Sequence, residues 1–261
     1  MASTRLALLG GIYSNYLALD AVLRQVRRSG ADLVWALGDL GGFGPHPDRA
    51  AEILRGQEIP MLRGNYDDSI GCGRADCGCG YTDPRDNEYA QISYDYTLAH
   101  TSATHREWMR TLPGQQRLEI AGRNVLLCHG SPRQMNEFLW ESACSDAFLE
   151  WLCDAHGADV IACAHSGLPW HRPLPSGRHV VNAGAIGRPA NDGRAEVWYA
   201  ALELNDEVRV EFHPVAYDVE TLAREMARES LPPQFIETLR TGWWTTCLEN
   251  LPAKERRRGR H

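Results

Sequence analysis

LVWALGDLGGFGP, Leu33–Pro45, runs an apolar segment straight into a glycine-rich turn that carries a single carboxylate, Asp39. Five apolar residues stopped by glycine suit a short strand buried on both faces. The same grammar repeats outward from it. Upstream, RLALL (Arg5–Leu9) leads into GGIYSN (Gly10–Asn15), and downstream Ile59–Leu62 leads into GNYD (Gly64–Asp67). Between these runs, Leu17, Leu19, Val22, Leu23 and Val26 make a helical stripe that ends at Gly30, and Pro47 opens a second helix through Leu54. A strand–helix–strand–helix–strand order predicts parallel strands joined by crossover helices.

The pattern resumes after an irregular stretch. Helices are expected over Glu88–His100, Thr104–Leu112 and Ala147–His156, and a hairpin over Arg117–Ile120 and Asn124–Cys128. Its second strand runs into CHGSP (Cys128–Pro132), and the apolar run Val160–Cys163 runs into AHSGLP (Ala164–Pro169). Strands follow at His179–Asn182, Ala195–Leu204 and Val208–Val215, then helices at Asp218–Glu229 and Pro233–Thr241. Ligands of open α/β sheets gather beyond the carboxyl ends of the strands. Five strand-end segments therefore place Asp39, Asn65, His129 and His165 at one rim.

Bulk composition narrows the class. The 261 residues carry 43% apolar and 23% charged side chains, ordinary for a globular protein. One domain over residues 1–261 is expected, with a Cys-rich insertion at about 67–84 and a helical C-terminal extension at about 216–261. A net charge of −7 without a basic face argues against dedicated nucleic-acid binding. The basic run Lys254–His261 reads as a solvated terminus. No apolar run reaches the length of a membrane span. The apolar N-terminal residues lead directly into the first strand-end segment, so they read as a core strand and not a leader. A cytoplasmic protein is expected, and its eight cysteines read as thiols or metal ligands more than as a disulfide framework.

The order and spacing of the five segments resemble the calcineurin-like metallophosphoesterases. That resemblance implies a four-layer α/β/β/α sandwich with two central mixed sheets, and a pair of metal ions at the strand ends. It also implies residue roles. The family's first segment, D-x-H-G-N, falls on Gly11, Tyr13 and Asn15. The second, G-D-x-x-x-x-G-P, is whole and makes Asp39 the bridging carboxylate. The third keeps Asn65 but puts Tyr66 where the family has a catalytic histidine. His129 matches the next ligand, and the last segment keeps His165 while its second histidine falls on Gly167. The resemblance thus leaves one metal's set intact, Asp39, Asn65, His129 and His165, and removes three of the other's four ligands. An aspartate, an amide and two imidazoles suit Zn²⁺, Mn²⁺ or Fe²⁺.

CGRADCGCG carries Cys72, Cys77 and Cys79 within eight residues of chain. Three readings stand for it: a metal site of its own, completed by Cys247, Asp76 or a histidine; thiolates that rebuild the vacated half of the inherited site; or a glycine-rich loop with unligated thiols. Tyr13 and Tyr66 are candidate hydrogen-bond donors or proton donors at the rim. Arg188, within VNAGAIGRP (Val181–Pro189), and Arg133 and Arg172 are candidate phosphate contacts. Asn15 is a candidate substrate contact, and His46 and His171 are candidate outer donors.

The function expected from this set is hydrolysis of a phosphomonoester or diester by a metal-activated water. Asp39, His129 and Tyr66 are the catalytic candidates, with one or two metals per chain and a small metabolite, nucleotide or phosphoprotein as substrate. The alternative is a phosphate-ligand, metal-sensing or redox-sensing protein on the same scaffold, without catalysis.

Overall fold

RLALL alternates between two interiors, and that alternation organises the molecule. In the computed structural model, which describes residues 3–257, β1 (Thr4–Leu9) buries Leu6 and Leu8 against a second sheet and Ala7 and Leu9 against helices. Successive strand residues point to opposite faces, so a strand between two layers must be apolar throughout. The chain continues through α1 (Tyr16–Arg28), β2 (Leu33–Ala36), α2 (Pro47–Gly56), α3 (Asn65–Cys72), α4 (Pro84–His100) and α5 (Ala103–Thr111). Next come β3 (Gln115–Ile120), β4 (Arg123–Cys128), α6 (Asp146–His156), β5 (Val160–Cys163), β6 (Pro169–Pro173), β7 (His179–Ala183), β8 (Val197–Leu204) and β9 (Val208–Val215). The last elements are α7 (Val219–Arg228), α8 (Pro233–Thr241) and α9 (Ala253–Arg257).

Two mixed sheets form, in the orders β2-β1-β8-β9 and β3-β4-β5-β7-β6. β1 pairs in parallel with β2 and antiparallel with β8, while β4, β5 and β7 run parallel. Leu6, Leu8, Val125, Leu127, Val160, Ala162, Ala200 and Leu202 fill the space between the sheets. The opposite faces of β4 and β5, Leu126, Cys128, Ile161 and Cys163, meet Leu149, Leu152 and Cys153 of α6. The outer face of the first sheet meets Leu19, Val22, Leu23 and Val26 of α1. The result is the four-layer α/β/β/α sandwich with two mixed sheets.

Four local features differ from the sequence expectation. Ile59–Leu62 is not a full strand; only Met61 bridges Ala36, because Pro60 has no N–H to donate to a ladder. The expected irregular stretch from Asp67 begins instead as a helix, α3. Its first turn is stabilised by the Asp67 carboxylate, which accepts from Gly64 N at 2.8 Å. β6 was not expected, since two prolines in five residues disfavour a strand. It survives at a sheet edge, paired on one side only with β7. The short α9 was not expected either. Beyond β9, Leu222 and Met226 of α7 and Phe235 and Leu239 of α8 pack around Phe43 of the Asp39 turn. Among the described residues no helix is long and apolar enough to cross a membrane.

Candidate metal centre

The turn after β2 is built to hold one carboxylate still. Asp39 adopts a left-handed backbone, φ 57°, which costs energy for a residue with a Cβ unless its surroundings fix it. Its carbonyl accepts from Ile12 N and Tyr13 N, and its N–H donates to the Asp67 carboxylate at 2.8 Å. Asp67 also accepts from Leu40 N and Gly64 N, so one buried side chain ties the Asp39 turn to the start of α3. Burial and the neighbouring Asp39 push the Asp67 carboxyl up to about 7. The two segments approach so closely that glycine is required on each. A Cβ on Gly38 would lie 2.6 Å from Gly64 N, and one on Gly64 would lie 2.3 Å from Asp39 Oδ1.

Four side chains converge on this turn. Asp39 Oδ1 accepts from Tyr66 N at 3.0 Å, which leaves Oδ2 facing His129 Nε2 at 3.2 Å. The same His129 Nε2 lies 3.1 Å from Asn65 Oδ1 and 3.1 Å from His165 Nδ1. The ligand atoms of Asp39, His129 and His165 all lie within 4.8 Å of one another, and all three residues are buried.

Outer hydrogen bonds decide which atoms face inward. His129 Nδ1 sits 2.6 Å from the Leu37 carbonyl, so Nδ1 carries the hydrogen and Nε2 keeps its lone pair. His165 Nε2 donates to the Cys79 carbonyl at 3.2 Å, leaving Nδ1 free. Asn65 Nδ2 donates to the Cys77 carbonyl at 2.9 Å, which turns Oδ1 inward. Four electron-pair donors therefore point at one another with no hydrogen between them, an arrangement that needs a proton or a cation at its centre. Burial favours a neutral His129 ring, but Asp39 beside it holds the imidazole above its ordinary value. Burial and His129 push His165 down to about 3. The donor set fits a single divalent transition ion.

The other half of the expected two-metal site is occupied by side chains. A Cβ on Gly11 would lie 2.5 Å from Tyr13 Cε1 and Cζ, so the Tyr13 ring fills the space a carboxylate at residue 11 would need. A Cβ on Gly167 would meet Trp244 Cη2 at 3.3 Å. The Arg188 guanidinium lies 3.5 Å over the Trp244 ring and 5.9 Å from the Tyr13 ring centre. Tyr13 and Arg188 share one small cleft with Asp39, Tyr66 and His165. Burial and Asp39 raise the Tyr13 phenol well above its ordinary value, against the opposing pull of Arg188.

Several expected site residues take other roles. Asn15 is no substrate contact: its Oδ1 caps α1 by accepting from Ala18 N, and its Nδ2 donates to Gly187 O. Tyr66 lines the cleft with its ring, but its hydroxyl is turned to Ala90 O and Ser93 Oγ of α4. Cys77 and Cys79 are joined as a disulfide and Cys72 is exposed, so none of the three offers a thiolate to the centre. The cysteine segment reaches the centre through the Cys77 and Cys79 carbonyls, which orient Asn65 and His165, and through Cys79 Sγ, which lies 3.4 Å from Asn65 Nδ2. Asp76 caps Gly78 N, and Cys247 is a free thiol on the cleft wall. Arg133 pairs with Glu137, Arg172 with Asp146, His46 with Glu225 and His171 with His179. None of these four lines the cleft. Sequence reading missed Trp244, whose place beneath Arg188 carries no local signal.

A profile of the calcineurin-like phosphoesterase superfamily domain matches residues 5–207. The chain belongs to this superfamily. An uncharacterized protein of Methanocaldococcus jannaschii is 24% identical over 258 residues, covering 93% of this chain and all of its own. A hypothetical protein from Pyrococcus horikoshii superposes with a TM-score of 0.78 at 22% identity, over 93% of this chain and 100% of that one. A structure described as a metallophosphoesterase from Sphaerobacter thermophilus gives 0.70 at 26% identity, over 92% and 100%. This chain is therefore a divergent member of the calcineurin-like phosphoesterase superfamily.

Proposed function

We propose that the chain is a phosphoesterase that works with one divalent metal, held by Asp39, Asn65, His129 and His165. The observation that carries this reading is the convergence of four lone-pair donors, each oriented by a hydrogen bond on its other side. An ion bound there supplies Lewis-acid polarisation of a phosphoryl oxygen and a more acidic water. Asp39 offsets one unit of the ion's charge. His129 and His165, fixed as neutral ligands by Leu37 O and Cys79 O, hold the ion in place without rotating. Tyr13 borders the cleft, and its phenol is a hydrogen-bond donor available to a phosphoryl oxygen there. Zinc, manganese or iron suits the mixed oxygen and nitrogen set, and the substrate is a small phosphorylated metabolite, a nucleotide or a phosphoprotein of the cytoplasm. The Sphaerobacter protein's description as a metallophosphoesterase supports the activity class.

The test is elemental analysis together with hydrolysis of para-nitrophenyl phosphate and its bis-ester, on wild type and His129→Ala. Metal-dependent turnover lost in His129→Ala is expected; turnover that survives the substitution sinks the reading. A second reading, phosphate-ligand binding without turnover, is favoured by the Tyr13 ring standing where a second ligand set would need room. It predicts bound metal and bound phosphate with no hydrolysis of either ester.

A further inference from the structure

Arg188 is buried to 6% exposure, yet among the described residues no carboxylate pairs with it and its Nε has no hydrogen-bond partner. Its contacts are rings: Trp244 at 3.5 Å, with Phe43 and Tyr13 near 6 Å. A buried unpaired guanidinium is expensive to maintain, because desolvation is not offset by an opposite charge. The cost is not incidental to packing, since a neutral side chain of similar length would fill the same space. The stacking rings also leave the guanidinium edge open toward the cleft that Asp39 and His165 border.

We propose that Arg188 is a resident cation that takes the place of a second metal, and that its edge binds the oxygens of a terminal phosphoryl group. This rests on the metal-centre reading above and gives it a substrate class, phosphomonoesters. The charge balance supports it. A divalent ion beside Asp39 leaves one net positive charge, and a phosphomonoester near neutrality approaches two negative charges. Arg188 supplies the remainder, in a planar fork that matches phosphate oxygens. Size supports it too. The cleft holds about 50 Å³, room for on the order of four waters. That accommodates a phosphoryl group, with the leaving group extending through the open mouth of the cleft. With the space at Gly11 and Gly167 filled by Tyr13 and Trp244, the described residues offer no second cluster of ligand groups.

The experiment is calorimetric titration of inorganic phosphate into wild type, Arg188→Met and Arg188→Lys, each metal-loaded and metal-free, with metal counted per chain. Methionine keeps an apolar stem on Trp244 while removing the charge, and the thermal midpoint of each variant checks the fold. Expected are one metal per chain in all three proteins, phosphate affinity at least tenfold weaker in Arg188→Met, and only partial recovery in Arg188→Lys, which restores the charge without the planar fork. Metal-free wild type retains binding at millimolar phosphate. Two metals per wild-type chain, or phosphate affinity in Arg188→Met within twofold of wild type, overturns the proposal. Should Arg188→Met fail to fold, the metal-free wild type decides, and absence of phosphate binding there overturns it. Hydrolysis is not part of the readout, so a protein that never turns over an ester still answers the question.

Discussion

The two halves of the cleft solve the same electrostatic problem with different materials. On one side Asp39, Asn65, His129 and His165 present lone pairs, each aimed by a hydrogen bond to a backbone group or a neighbouring loop. On the other, Tyr13, Trp244 and Arg188 fill the space with two rings and a permanent cation. Losing three ligands did not leave a hole. A packed interior does not tolerate an empty polar cavity, so replacing the ligands and filling the volume belong to one structural change. Whether a site is present therefore depends on where the side chains around it point, as well as on which ligands remain.

The sharpest way to break this comparison is to remove the intact half. His129→Ala deletes the nitrogen common to three of the short contacts, and it should lower bound metal to background and hydrolysis by at least about a thousandfold, the scale of several kcal/mol of lost charge stabilisation. Elemental analysis and steady-state rates check both. A smaller effect is expected from loosening the loop that aims the ligands. Cys77→Ser frees the segment whose carbonyls hold Asn65 and His165, so metal affinity should fall about 10–100-fold, as when outer hydrogen bonds to metal ligands are lost. Competition with a chromogenic chelator measures it. Metal content that rises in reduced wild-type protein would mean that thiolates ligate after all.

The filled half is probed by trying to empty it. Gly11→Asp forces a side chain into the Tyr13 ring, and denaturant titration should show destabilisation of about 1–3 kcal/mol. Adding Tyr13→His should relieve most of that cost, because the smaller ring withdraws; a purely additive double mutant would disprove the steric account. The smallest effect lies outside the cleft. Burial and the adjacent His179 push His171 down to about 4. A base whose folded value lies below its unfolded one binds fewer protons when folded, so its contribution is full above the ordinary 6.5 and is lost as pH falls toward 4. With the ring half exposed, the discounted size is about 1–2 kcal/mol. His171→Leu should flatten the pH dependence of unfolding between pH 7.5 and 4.5 by that amount.

Much of this was legible in the chain because strands buried on both faces announce themselves. RLALL, LVWAL and the run through Cys163 are apolar without interruption; the first two end in glycine, and Asp39 and His165 follow the last two. What the sequence hid are features that depend on contacts distant along the chain. α3 begins at Asn65 because Asp67 reaches back to Gly64, a bond that the surrounding glycines and cysteines disguise. Asn15, which matches the signature, is consumed as a helix cap, and a motif match cannot distinguish those uses. The cysteine segment was read for its thiols, whereas the structure employs its carbonyls. Arg188 stood out only as one arginine among several; its isolation from carboxylates and its bed on Trp244 exist only in the folded protein.

Trp244 lies beyond residue 207, where the superfamily match ends. Its N–H donates to Asn191 Oδ1 and its ring nitrogen to Pro189 O, so it holds the loop at two points just beyond Arg188. As the chain leaves the ribosome, every metal ligand has emerged once His165 is out, but the ring beneath Arg188 arrives only with the final segments. The bed of Arg188 is thus supplied by chain outside the matched domain, whereas all four candidate metal ligands lie within it.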